Sequence, residues 1–204
     1  MNTLYIESSI FADNGVSSQL ANELISQLEA NGGVNLTKRS FASDPIKHLD
    51  GELIGAIMTD SAERSDEQAA IVAEADAYIK EVQDADTIIL GVPMYNFSVP
   101  SQLKAWFDHI ARAGVTFQYT ENGPKGLLSN KKVYVLATRG GFYKDTPMDS
   151  QTPFVTTFMN FLGLDDVEFI YAEGLNVNEE SKEKALTSAK QQIQQAVATH
   201  SQAA

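Results

Sequence analysis

Apolar residues along this chain follow two rhythms, and they divide it into strands and helices. Thr3–Glu7 reads as a short strand, and in the SSQLANELISQLEA that follows, Leu20, Leu24 and Leu28 stand four apart on one helical face. Asn31-Gly32-Gly33 stops that helix, and VNLTKRS alternates as a second strand. The connection 41–64 is long and polar, with a short helix expected near Glu52–Met58. SDEQAAIVAEADAYIKEVQDA opens with Ser65 three residues before Gln68, a capping-box pattern, and carries Ile71, Ala75, Tyr78 and Val82 along one stripe. Thr87–Val92 is an unbroken apolar run, the pattern of a strand buried on both faces of a parallel sheet. From Ser101 onward, Leu103, Trp106, Phe107 and Ile110 form the next helix face. The segment 115–130 is turn-rich, with Asn122-Gly123-Pro124 as its sharpest punctuation. KKVYVLATRGG is then a strand running into paired glycines. Pro153–Leu162 predicts a short aromatic helix, Val167–Ala172 a fifth strand, and Glu179–Thr199 a closing helix with Leu186, Ala189, Ile193 and Val197 inward.

Strands alternating with helices over short connections force parallel pairing and right-handed crossovers. The expected architecture is α/β, a doubly wound five-stranded parallel sheet with helices on both faces. One domain over residues 1–204 is expected, since neither a linker nor a repeat interrupts the pattern. In such a sheet, ligands sit at the carboxyl ends of the strands, near the reversal of strand order. That rule selects the segments after strands one, three and four.

Charge narrows the ligand. A formal net charge of -12 with scattered basic residues argues against nucleic acid and anionic membrane surfaces, so an anionic ligand must be held by local backbone N–H groups. The apolar runs are far shorter than the roughly 20 residues that span a bilayer. Met1-Asn2-Thr3-Leu4-Tyr5 has neither a basic region nor a cleavage site, which gives a cytoplasmic reading. The absence of cysteine excludes disulfides, thiolate nucleophiles and thiolate-bound metal.

After strand one comes SSIFADNGVSSQL, where Ser8, Ser9, Gly15, Ser17 and Ser18 precede or open a helix. Free N–H groups at a helix start, with hydroxyls and the positive dipole end, bind phosphate without lysine; the plainer alternative is a capped helix behind a polar turn. No G-x-G occurs in the chain, so a mononucleotide with one terminal phosphate fits better than a dinucleotide. After strand three, Pro93 and Pro100 fix the backbone around Met94, Tyr95, Asn96 and Phe97, whose flat faces and amide suit a planar heterocycle; the alternative is aromatic bracing for a helix. After strand four, Gly140 and Gly141 permit a close approach of backbone to ligand. His48, His109 and His200 lie far apart in sequence, and no nucleophile, acid–base or metal-spaced constellation is present, which assigns the hard chemistry to a bound cofactor.

The run PMYNFSVPSQLKAWFDHIARAGVTFQYTENGPKGLLSNKKVYVLATRGG, with SSI and SSQL before it, closely resembles the FMN-dependent NADH-azoreductases of bacteria, also described as NADH:quinone oxidoreductases. The likeness covers essentially the whole chain. It implies a flavodoxin-like homodimer with FMN at the subunit interface and NADH as electron donor. It places the FMN phosphate on Ser9, Gly15, Val16 and Ser17, and the isoalloxazine ring along Pro93, Met94, Tyr95, Asn96 and Phe97. The ring's other polar edge falls to Thr138, Arg139, Gly140 and Gly141. The loop Phe117 to Tyr119, with Phe161 from the second copy, would form an apolar lid over flat substrates, and Tyr143 would line the same pocket; the alternative for Phe161 is ordinary helix packing. Two departures from the family pattern stand out. Asn14-Gly15-Val16 replaces further small polar residues, shifting phosphate contacts toward backbone N–H groups, and Tyr143 stands where many members carry histidine.

The implied reaction is a ping-pong reduction of quinones and azo compounds by NADH, both partners using one flavin face. A flavodoxin-type electron carrier is the competing class, favoured by acidity and by the same fold. A flavin-free receiver domain would need clustered aspartates, which Glu7-Ser8 does not supply.

Overall fold

The computed structural model describes the backbone of residues 1–203 and the side chains through residue 200. Strands β1 (Asn2–Glu7), β2 (Asn35–Ser40) and β3 (Thr87–Pro93) alternate with helices α1 (Val16–Gly32), α2 (Gly51–Met58), α3 (Asp66–Asp84) and α4 (Ser101–Ile110). A hairpin of β4 (Phe117–Thr120) and β5 (Gly123–Gly126) follows, then β6 (Lys132–Thr138), α5 (Gln151–Leu162), β7 (Asp166–Ala172) and α6 (Glu179–Ala203). Five strands pair in parallel in the order β2-β1-β3-β6-β7. The chain leaves β1 for β2 on one side and returns to β3 on the other, so the order reverses between β1 and β3.

Period-two alternation divides the interior. Leu4, Ile6, Ile88, Leu90, Val133 and Val135 point to one face, where Tyr78, Trp106, Phe107 and Val155 cover them. Tyr5, Ile89, Tyr134 and Leu136 point to the other, against Leu20 and Leu24 of α1 and Ile193 and Val197 of α6. Every residue of β3 is buried, as its unbroken apolar run predicts. The capping box at Ser65 and Gln68 forms with both reciprocal hydrogen bonds. The buried stripe of α3 differs from the expectation by one position. Val72, Ala75, Tyr78, Ile79 and Val82 are buried and Ile71 is only half-buried, because the covering helix α2 approaches from one side.

The turn-rich segment expected at 115–130 contains a two-stranded antiparallel ribbon, with Thr120 Oγ1 donating to Gly123 O at 2.7 Å across its tip. The ribbon is seated on the end of α5 by two glycines. A Cβ on Gly126 would lie 2.0 Å from Gly163 N, and Gly163 itself has φ +88°. Only two backbones without side chains can meet that closely.

Candidate functional site

The loop after β1 is fastened before it reaches α1. Ser8 Oγ donates to Gly91 O of β3 at 2.5 Å, and Ser9 Oγ accepts from Phe11 N at 3.2 Å. A short 3-10 turn, Ala12–Asn14, then delivers Gly15 as the cap of α1 with no side-chain hydrogen bond. A Cβ on Gly15 would sit 2.2 Å from Ser9 Oγ, so glycine is required for this fold of the loop. Helix geometry leaves the N–H groups of the first turn, Val16 to Ser18, without intrahelical partners. Ser17 is 1% exposed and its hydroxyl has no hydrogen-bond partner. A buried, unpaired hydroxyl in the first turn is the feature that a bound anion would satisfy.

The loop after β3 closes into a tight turn. Tyr95 N donates to Ser98 O at 3.0 Å and Ser98 N to Tyr95 O at 3.1 Å. Between them Asn96 (φ +50°) and Phe97 (φ +66°) are both left-handed, the backbone of a type I′ turn. Two consecutive non-glycine residues in this region carry strain that the surroundings must hold. The turn exposes the Asn96 and Phe97 side chains, with Met94 and Tyr95 half-buried behind them.

The loop after β6 is organised by a buried charge. Arg139 is 1% exposed and pairs with Asp149 through both guanidinium arms, each at 3.0 Å. It also donates to Glu173 Oε1 at 3.1 Å and Thr152 Oγ1 at 2.8 Å, and lies over the Tyr171 ring. Glu173 Oε1 in turn accepts from Tyr143 N at 2.8 Å and Lys144 N at 2.9 Å. Burial would raise the Asp149 carboxyl, but the Thr152 N–H and the Arg139 guanidinium outweigh it and hold the group below the usual carboxylate range.

Direct bonds gather the three loops at one edge. Ile10 N donates to Tyr95 OH at 3.3 Å, and Met94 N to Thr138 O at 2.8 Å. The Phe97 and Tyr143 rings meet edge to face at 5.5 Å. Ser150 Oγ donates to Phe97 O. Gln151, 1% exposed, donates from Nε2 to Pro93 O at 3.2 Å and Ser98 O at 3.3 Å, and accepts from Arg139 Nε at 3.3 Å. This amide stitches the second loop to the third. Ile10, Phe11, Phe97 and Phe142 stand exposed around the junction.

The sequence-selected residues therefore separate by role. Ser9, Gly15, Val16 and Ser17 form one cradle, Met94 to Phe97 the turn beside it, and Gly140, Gly141 and Tyr143 the opposite rim. Pro93 and Thr138 are buried strand ends whose carbonyls are used in holding the loops. The Arg139 side chain turns inward to two carboxylates, which a buried guanidinium needs, so that a ring contact at this position would fall to its backbone. Phe117 is turned into the core rather than toward a lid, and Phe161 is half-buried beside it. Phe117 is buried against Phe161 of its own chain, 4.4 Å between centroids, because the glycine-seated hairpin brings them together. Tyr119, 77% exposed, is the hairpin aromatic free to meet a ligand. Sequence reasoning missed Asp149, Ser150, Gln151 and Glu173; polar residues at the start of α5 and the end of β7 were the only signal. His109 is buried with Nε2 2.9 Å from Lys47 O and its ring on Tyr78, a structural role. Among the described residues no cluster suits a metal ion. A surface depression of about 740 Å³, lined by Asp86, Lys131 and His200 among others, lies at the opposite edge of the sheet.

A five-stranded parallel sheet in this order, with three loops gathered beside its reversal point, defines a flavodoxin-like protein. The family model described as flavodoxin-like fold matches residues 1–197. An FMN-dependent NADH:quinone oxidoreductase of Alcanivorax borkumensis is 52% identical over 95% of this chain and 98% of its own. One from Cellvibrio japonicus is 52% identical over 96% and 98%. Among solved structures, an azoreductase from Bacillus anthracis superposes with TM-score 0.88 at 24% identity, covering 97% of this chain and 98% of its own. An FMN-dependent NADH-azoreductase of the same species, in complex with FMN, superposes with TM-score 0.89 at 23% identity, covering 98% and 99%. These two support the fold. The chain belongs to the family of FMN-dependent NADH:quinone oxidoreductases.

Proposed function

We propose that this chain is an FMN-dependent oxidoreductase that uses NADH to reduce quinones to hydroquinones and azo compounds to amines. The observation that carries this reading is the unpaired buried hydroxyl of Ser17 in the first turn of α1, beside a loop that Ile10 N ties to the Met94–Phe97 turn, which Met94 N ties in turn to the end of β6. Family membership and the names of the relatives support the cofactor and donor.

The residues present fit FMN. The Val16 to Ser18 N–H groups and the Ser9 and Ser17 hydroxyls would hold its phosphate, which a chain of net charge -12 cannot attract by overall field. The Met94–Phe97 turn would flank the ring, and Gly140 and Gly141 would meet its other edge with backbone. Bound there, FMN supplies two-electron transfer between NADH and an acceptor. The protein's share is orientation, exclusion of water by Phe97, Tyr143 and Tyr119, and N–H donors at Asn96 and Gly141 where negative charge develops. Because the chain has no dinucleotide loop, NADH and acceptor would occupy the same face in turn, a ping-pong order. Cleavage of an azo bond to two amines takes two such rounds.

The whole chain acts in this reading as one domain, in the cytoplasm, and pairs as a homodimer. Exposed Ile10, Phe11, Phe97 and Phe142 around the loop junction support a second copy covering it. No helix among the described residues is long and apolar enough to cross a membrane. Asn96→Ala tests the ring assignment: FMN retention should weaken and reduction by NADH should slow in stopped-flow absorbance. Unchanged occupancy and rate would remove Asn96 from the site.

A further inference from the structure

The loop assigned to the phosphate is flanked by two carboxylates, an awkward setting for a dianion. Glu7 immediately precedes Ser8-Ser9 and is 1% exposed; Asp13 lies in the turn that leads to Gly15. Glu7 is within about 7 Å of Ser9 along even a fully extended backbone. Both acids share a single cation from the neighbouring edge strand. Lys38 Nζ lies 3.1 Å from Glu7 Oε1 and 2.8 Å from Asp13 Oδ1, and stands over the Tyr5 ring at 5.5 Å. Parallel pairing of β1 with β2 sets this geometry, placing Lys38 beside Tyr5 and Ser40 beside Glu7, where the Ser40 hydroxyl donates to the other carboxylate oxygen. No second cation pairs with either acid among the described residues. Lys38 is partly exposed, and nothing in the reaction requires it.

We propose that Lys38 is a positioning residue for the cofactor's phosphate: it neutralises buried Glu7 and ties the Asp13 turn to β1, so that the cradle at Ser9, Gly15 and Ser17 accepts a dianion. The inference rests on the reading that this loop holds the phosphate of FMN. Without Lys38, a buried carboxylate two residues before Ser9 is left without its cation, and repulsion between a buried charge and a nearby dianion is weakly screened. A lysine that served only to stabilise the fold would affect the isoalloxazine and phosphate ends of the ligand alike. The proposed role affects only the phosphate end.

Flavin fluorescence quenching on the full-length apoprotein separates these possibilities, with FMN and riboflavin titrated in parallel. Lys38→Met should raise the FMN Kd about tenfold, while the riboflavin Kd changes by less than about twofold. Combining it with Glu7→Gln removes the buried one of the two uncompensated charges, leaving Asp13, which is exposed to screening by water, and should return the FMN Kd to within about threefold of the parent. Equal shifts for the two flavins, or a double variant no better than Lys38→Met, would overturn the proposal. Should Lys38→Met not fold, Glu7→Gln alone decides: with Lys38 kept, FMN should bind at least about threefold more tightly and riboflavin unchanged, and an unchanged FMN affinity refutes the idea. Failure of the parent protein to bind FMN would instead refute the functional reading on which the inference rests.

Discussion

Replacing Gln151 by leucine tests the claim that one buried amide joins the two loops assigned to the ring. The substitution keeps the approximate volume and removes three hydrogen bonds, two to the carbonyls of Pro93 and Ser98 and one from Arg139 Nε. At 3.2 to 3.3 Å these are long bonds, each near the low end of the usual net contribution of about 0.5–1.5 kcal/mol. Their loss also leaves the Pro93 carbonyl and a charged donor unpaired beside a residue only 1% exposed, while Ser98 O keeps its bond from Tyr95 N, and the expected cost is about 2–3 kcal/mol. For a chain of 204 residues that corresponds to a drop in Tm of about 4–12 °C. A second consequence separates this role from ordinary core packing. Asn96 and Phe97 hold left-handed backbone against strain, and with the Gln151 tether to Ser98 O and Pro93 O gone the turn should relax and weaken flavin binding. Differential scanning fluorimetry of the apoprotein reads the first effect and fluorescence titration with riboflavin the second. A Tm within about 1 °C of the parent, or a large Tm loss with unaltered riboflavin affinity, would refute the reasoning.

Three further outcomes follow from the same geometry. Gly126→Ala puts a Cβ against the backbone of Gly163, so overpacking should cost about 1–3 kcal/mol or more and expose the β4–β5 hairpin to limited proteolysis, which mass spectrometry of the fragments would locate. Arg139→Met strips the cation from buried Asp149 and Glu173, with an expected loss of about 3–5 kcal/mol in urea melts, whereas a loss under about 1 kcal/mol would show the network to be unimportant. Asp149 has a folded pKa below its ordinary value, so its contribution is present above the unfolded value of about 4 and fades as pH falls through the folded one. Stability curves of the parent should accordingly fall more steeply below about pH 4 than those of Asp149→Asn, and parallel curves would contradict this.

How much of this was legible in the sequence depended on whether the deciding interaction was local. The leucines of α1, the apolar run of β3 and the Ser65–Gln68 cap are statements about neighbours in the chain, and all three appear as read. The β4–β5 ribbon was not legible, because four-residue strands carry too little alternation and their seat is Gly163, far along the chain. At the candidate site, glycines and serines mark where the loops turn, since backbone requirements are local. The direction of Arg139 was not local: its partners Asp149 and Glu173 lie 10 and 34 positions away, and only the fold brings them together. The contact of Phe117 with Phe161 was hidden for the same reason, two aromatics far apart in the chain that only the fold brings together.

The central claim is that this chain binds FMN and passes electrons from NADH to a small acceptor without a protein partner. One anaerobic visible spectrum of the FMN-loaded protein tests it, recorded before NADH, after NADH, and after benzoquinone. The account requires a bound flavin absorbance that NADH alone bleaches and benzoquinone restores. A protein that remains colourless after FMN is added, or a bound flavin that NADH cannot bleach, would contradict it, the second result identifying an electron carrier instead.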